Sequence, residues 1–168
     1  MPETKTYTPE LLSRQGELTA WALAVAAGLG LYFLSLRAPL PFWAWFLFAI
    51  FAFSAVSISL GNWMDRKTRI SLSETGVLFE NGLRKAALPW DAVREVRTAP
   101  ARWGLSVQVI GDQAHFSFST LGEMRFQGQV RGRTGFTQGQ QIMDEIIRSS
   151  NLTQVTRDGQ FLSYTRSI

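Results

Sequence analysis

Cysteine is absent, histidine occurs once (His115), and across residues 18–64 charge is confined to Arg37. The first absence excludes a disulfide framework, thiolate metal sites and thiol catalysis, and says nothing about compartment. A single histidine excludes a histidine-based metal cluster, and no clustered acids support a carboxylate site. The third absence excludes a purely soluble protein. Mean hydropathy is +0.01 and net charge +4, ordinary averages that hide an uneven distribution. Of 30 charged residues, five lie in 1–17, one in 18–64 and 24 in 65–168.

Leu18 to Leu36 is an uncharged run that would span about 28 Å as a helix, close to the hydrocarbon thickness. A second uncharged run, 40–64, is rich in Phe and Trp and long enough to span with tilt. Only Arg37-Ala38-Pro39 separates them, so the two helices must be antiparallel neighbours. A cleaved signal peptide fits poorly: Glu3, Glu10 and Glu17 oppose only Lys5 and Arg14, and no small-x-small cleavage site convincingly precedes Pro39. Bases near the span ends (Lys5, Arg14, Arg66, Lys67, Arg69) outnumber Arg37 in the turn, which predicts both termini on the cytoplasmic side of a bacterial inner membrane. On that orientation Trp21 and Trp63 mark the inner interface, Trp43 and Trp45 the outer one.

Small residues recur four apart in both runs: Ala24 with Gly28, Ala26 with Gly30, Ala55 with Ser59, Ser57 with Gly61. Such pairs let helix backbones approach closely, which serves either packing of the hairpin on itself or docking against a partner's helices. Neither run holds an ionisable residue, which argues against a transporter or channel.

The remainder reads as antiparallel strands closed by one helix. Strands are expected at 69–73, 77–80, 83–88, 93–97, 105–110 and 114–119. Asn81-Gly82 predicts a tight hairpin because both positions tolerate positive φ. Residues 123–136 suggest one more strand and a Gly-rich loop. Thr137 with Gln140 matches a capping box, ahead of an apolar face formed by Ile142, Met143, Ile146 and Ile147, with Asp144 and Arg148 as an i,i+4 pair. A last hairpin around Arg157-Asp158-Gly159 is possible on pattern. The expected division is an N-terminal segment 1–17, a transmembrane hairpin 18–64 (18–36, 40–64), a domain 65–151 and a tail 152–168.

The segment TGVLFENGLRKAALPWDAVREVR (75–97), with a turn glycine at Gly76, a hairpin, and Pro89, Trp90, Asp91 and Val93, resembles bacterial pleckstrin-homology-like (PH-like) domains carried on two preceding helices. The resemblance covers about 69–150. It implies a seven-stranded, bent sheet or partly open antiparallel barrel or sandwich capped by a C-terminal helix, giving an α+β membrane protein. Such a fold hosts lipid binding, protein binding and scaffolding, so it leaves function open. Phosphoinositide-binding members of the wider superfamily carry bases in the first strand-pair loop, which here is the acidic Ser73-Glu74-Thr75-Gly76.

Catalysis requires a base held beside a nucleophile or a second titrating group. His115 stands alone, the acids Glu74, Glu80, Asp91, Glu95, Asp112 and Glu123 are dispersed, and Gly128, Gly132, Gly135 and Gly139 match no phosphate-loop spacing. No enzyme and no cofactor are expected. A nucleic-acid role would need a denser basic face.

The candidate binding residues are of three kinds. Arg66, Lys67 and Arg69 lie next to the membrane, where they serve either positive-inside anchoring or headgroup binding, extended by Arg84-Lys85 and by Arg125, Arg131 and Arg133. Arg102 and Trp103, with Arg131 and Arg133, are possible partner contacts; Trp103 could equally be buried in the domain. The small-residue pairs are candidate helix-packing sites. The expected function is a non-catalytic accessory or scaffold subunit of an inner-membrane complex, with membrane lipids and other integral membrane subunits as partners. The alternative is a lipid- or peptide-binding module at the membrane surface.

Overall fold

A computed structural model describes residues 4–11 and 13–166, without the side chains of Arg125, Phe126 and Arg131. The chain is of the α+β class and divides into two compact units, Ser13–Met64 and Met1–Leu12 with Asp65–Ile168.

The first unit is a pair of long apolar helices, α1 (Gln15–Ser35) and most of α2 (Phe42–Lys67). Both are long and apolar enough to cross a membrane. Only Ala24 in α1 and Ala44 and Ala55 in α2 are buried, while leucines, phenylalanines and tryptophans are exposed on all sides. Helices apolar all round require an apolar surrounding. They lie antiparallel: Glu17 and Trp21 bond to Asn62 and Ser59, and further along Gly28 abuts Phe48. α2 runs past the expected end at 64 because Arg66 and Lys67 occupy its last turn, where cations complement the helix dipole.

In the second unit, β1 (Lys5–Tyr7), β2 (Thr68–Leu72), β3 (Gly76–Asn81) and β4 (Lys85–Pro89) form a four-stranded antiparallel sheet in that order. A single 3₁₀ turn, Trp90–Ala92, leads to β5 (Val93–Pro100), β6 (Leu105–Gly111) and β7 (His115–Ser119). These continue a second sheet ordered β10-β11-β5-β6-β7, whose first members, β10 (Gln154–Asp158) and β11 (Phe161–Thr165), come from the end of the chain. A separate ribbon, β8 (Gly122–Phe126) and β9 (Gln129–Thr134), precedes helix α3 (Gly139–Ser149). Alternation along the strands sends Ile70, Leu72, Val77, Phe79, Val96, Val107, Val109, Phe116 and Phe118 into one core, closed by Ile142, Met143 and Ile146 of α3. Burying each of these large side chains contributes about 1.5–3 kcal/mol.

Several expectations are revised. The segment before α1 is not separate, since β1 pairs with β2 at Lys5↔Leu72, Thr6↔Ser71 and Tyr7↔Ile70. The tail from 152 forms the hairpin expected around Arg157-Asp158-Gly159, as β10 and β11, but is not a separate segment: β11 pairs with β5, and Arg166 Nη2 donates to the carbonyls of Ser150 (3.2 Å), Asp91 (3.4 Å) and Trp90 (3.5 Å). Residues 123–136 make two strands, joined by Gln127 and Gly128 with φ of 50° and 79°, so the two-residue turn with positive φ sits here. At Asn81-Gly82 only the glycine has positive φ, and β4 begins at Lys85 rather than at 83.

The capping box does not form. Helix α3 begins one residue late, with Gln138 at the N-cap and no side-chain cap bond. Its start is set by packing instead, for a Cβ on Gly139 would lie 2.7 Å from the Cα of Thr120. Asp144 accepts from Gln140 Nε2 at 3.1 Å, so the i,i+4 partner is upstream. The helix ends as a Schellman motif: Asn151 has φ of 52°, Asn151 N–H bonds Arg148 O, and Leu152 N–H bonds Ile147 O.

Candidate functional site

A charged recess in the β unit is an open pocket of about 580 Å³ at the start of β2. Its lining includes Arg66, Lys67, Arg69, Arg84 and Lys85, with Glu80 as the one acid. Register explains the gathering. Thr68 pairs with Asn81, Arg69 with Glu80, and Glu80 with Lys85, so residues distant in sequence become neighbours on adjacent strands. Arg66, Lys67 and Arg69 thereby share one lining with Arg84 and Lys85, while Arg133 does not line it.

Glu80 organises the pocket. Its Oε1 lies 3.0 Å from Lys85 Nζ, and Arg69 Nε donates to Oε2. Hydrogen bonds from Lys85 first and then Arg69 hold its carboxyl below the ordinary carboxylate value. Arg84 Nη2 donates to the carbonyl of His115 at 2.5 Å, which ties the β3–β4 turn to β7 and orients the guanidinium. Lys67 is exposed. Five cations facing one carboxylate leave a surplus of positive charge on a wet surface, suited to an oxyanion such as phosphate.

The turn beside the pocket is built around Asn81, whose Oδ1 accepts from the backbone N–H of Leu83 (3.3 Å) and Arg84 (2.8 Å). This Asx geometry projects Leu83 outward, 65% exposed. Sequence reasoning treated Leu83 as a strand residue; the offset between Asn81 and Lys85 was the signal against that.

Other expected sites are dispersed. Arg102 lies over the ring of Trp103 at 4.8 Å, and Trp103 is exposed rather than buried, with its backbone against Gly122. Arg133 pairs with Glu123 at 3.5 Å, and the Arg131 side chain lies outside the described residues, as does that of Arg125. In the helical unit the small residues separate into two sets. Ala24, Gly28, Ala55 and Ser59 face the hairpin's own interface, whereas Ala26, Gly30, Ser57 and Gly61 are exposed. His115 is exposed at the start of β7, immediately before buried Phe116.

Sequence reasoning missed the polar end of the hairpin. Trp21 Nε1 donates to Ser59 Oγ (2.8 Å), which donates to Glu17 Oε1 (3.0 Å), while Asn62 Nδ2 donates to Glu17 Oε2 (3.0 Å). Only a fixed helix register could have revealed it.

No known family is matched. No protein-family model matches the chain, and neither a curated protein nor a solved structure is found to match it.

Proposed function

We propose that this chain is a non-catalytic, membrane-anchored module whose β unit, a PH-like domain, binds anionic lipid headgroups. The helical pair serves as a two-span anchor in a bacterial inner membrane, with both termini cytoplasmic. Supporting that topology, the strand ahead of α1 and the strand after α2 belong to one sheet, as an even number of crossings requires. PH-like character is supported by the Pro89-Trp90-Asp91 element, in which Trp90 Nε1 bonds Ser73 O at 3.1 Å and so ties two turns together, and by α3 closing the core.

The observation that carries the reading is the pocket of Arg66, Lys67, Arg69, Arg84 and Lys85, of which the first two form the last turn of α2 and Arg69 follows it in β2. At an anionic surface each base contributes about 1 kcal/mol. The test is native mass spectrometry of the full chain released from detergent in equal mixtures of anionic and zwitterionic phospholipid. Preferential retention of the anionic lipid, reduced severalfold by Lys67→Gln with Lys85→Gln, is expected. Equal retention of both lipids by the native chain overturns the reading.

A second reading, an accessory subunit, is favoured by one observation. Gly30 lines an apolar recess of about 440 Å³ with Ala27, Leu31, Leu34, Leu47 and Phe51, and close helix approach uses such small-residue floors. Co-purification of a stoichiometric integral membrane subunit, lost on Gly30→Leu, would support it; a chain that purifies alone under mild conditions counts against it.

A further inference from the structure

We infer that the β3–β4 turn is a membrane wedge: Leu83 enters the headgroup–acyl boundary while the surrounding bases bind lipid phosphates. This rests on the lipid-binding reading above and assigns it a contact depth that charge alone does not imply.

A single exposed leucine is ordinary on a protein surface. Three features set Leu83 apart. The first is its position: Thr68, directly after α2, pairs with Asn81, so the turn 81–84 stands beside residues 66–69 at the point where the chain leaves the second apolar helix. The second is its surround, for Leu83 shares the pocket wall with Arg66, Lys67, Arg69, Arg84 and Lys85. An apolar tip ringed by bases is the composition of interfacial anchors, in which the apolar group is buried several ångströms deep and the cations meet phosphate. The third is preorganisation. Gly82 at φ 83° and the two bonds to Asn81 Oδ1 fix the turn, so the leucine is held outward before any membrane contact. The occupant is therefore a bilayer surface: the basic lining complements anionic headgroups, and the apolar part of α2 ends at Met64, four residues before β2 begins.

The chain has no cysteine, which makes the test direct. Full-length Leu83→Cys and, as a control in the β6–β7 turn, Gln113→Cys each receive one environment-sensitive fluorophore. Both are reconstituted in vesicles of zwitterionic lipid with or without one-third anionic lipid. With anionic lipid, the probe at position 83 is expected to shift to the blue and to be quenched severalfold more by headgroup-region nitroxide lipid than the probe at 113. Equal quenching at the two positions overturns the wedge. Where that occurs while anionic lipid is still retained preferentially in the mass-spectrometric test, the wedge alone is lost; where retention is also indifferent, the lipid-binding reading falls with it. Replacing Asn81 with Ala in the Leu83→Cys background is expected to reduce the blue shift, since the turn then loses its fixed geometry. An unchanged shift shows that preorganisation plays no part.

Discussion

Thr68 and Asn81 stand opposite each other across β2 and β3, so the first residue beyond the second apolar helix is paired with the residue that opens the β3–β4 turn. That register sets Arg69 beside Glu80, the β3–β4 pairing sets Lys85 on its other side, and Asn81 holds the turn by accepting two backbone N–H groups. Asn81→Ala should cost about 0.5–2 kcal/mol, the range for losing one side-chain cap of backbone donors. Thermal unfolding should show a midpoint lower by several degrees. An unchanged midpoint would mean water replaces the carboxamide at no cost.

Three carboxylates in the β unit are held below their ordinary values: Glu80 by Lys85 and Arg69, Glu95 by Arg97 and then Ser163, and Asp112 by Arg94. A lowered folded pKa means that the folded state binds the proton less readily than the unfolded chain. The stabilisation is complete above the unfolded value near pH 4 and fades as pH falls through the lower folded values. The unfolding midpoint should be flat from about pH 6 to 8 and decline below about pH 4.5. The combined Glu80→Gln, Glu95→Gln and Asp112→Asn variant should decline less steeply; an acid limb parallel to the native one would refute the assignment.

Arg166 reaches three carbonyls, at Ser150, Asp91 and Trp90, and thereby joins the end of α3, the 3₁₀ turn and the segment after β11. Arg166→Met retains the aliphatic stem and removes the donors. A loss of about 1–3 kcal/mol is expected for hydrogen bonds to a charged group. Hydrogen exchange should locate the loss in β11 and the last turn of α3. Protection lowered uniformly across the β unit would instead indicate a global effect.

Glu17 accepts from Ser59 and Asn62, and Trp21 donates to Ser59, at one end of the helical pair. Glu17→Ala leaves two polar groups of α2 without this acceptor. Denaturation of the full chain by increasing mole fraction of SDS, followed by tryptophan fluorescence, should shift to a lower midpoint, by about 1 kcal/mol. Trp21→Phe should shift it less, because Ser59 keeps its bond to Glu17. Equal midpoints for all three chains would remove the network's role in holding the pair.

What was legible in the sequence was what alternation and long apolar runs encode. The two helices, the strands from β2 to β7, the apolar face of α3 and its end near Asn151 follow from residue periodicity, because each buries a face set by local geometry. The three bases Arg66, Lys67 and Arg69 were visible as a cluster through adjacency alone. Turn chemistry was read less well. Asn81-Gly82 carries the strongest hairpin dipeptide, yet Asn81 is used as an acceptor rather than in the left-handed region, whereas Gln127-Gly128 adopts the two-residue positive-φ turn. Tertiary contacts also outweighed a cap signal at Thr137, since Gly139 is seated on Thr120. The pairing of β1 with β2, the attachment of β11 to β5 and the bonds of Glu17 are long-range choices that no window of local sequence contains.

The pairing of Lys5 with Leu72 joins residues on either side of the helical pair, and the Thr6–Ser71 hydroxyl contact spans 65 positions of chain. On the two-span reading, the first sheet gains its outer strand only when the chain between β1 and β2 crosses the bilayer an even number of times. A chain with one helix left outside would hold Lys5 and Leu72 on opposite faces of the membrane. On that reading the short strand β1 would make closure of the first sheet a test of whether the two helices have crossed together.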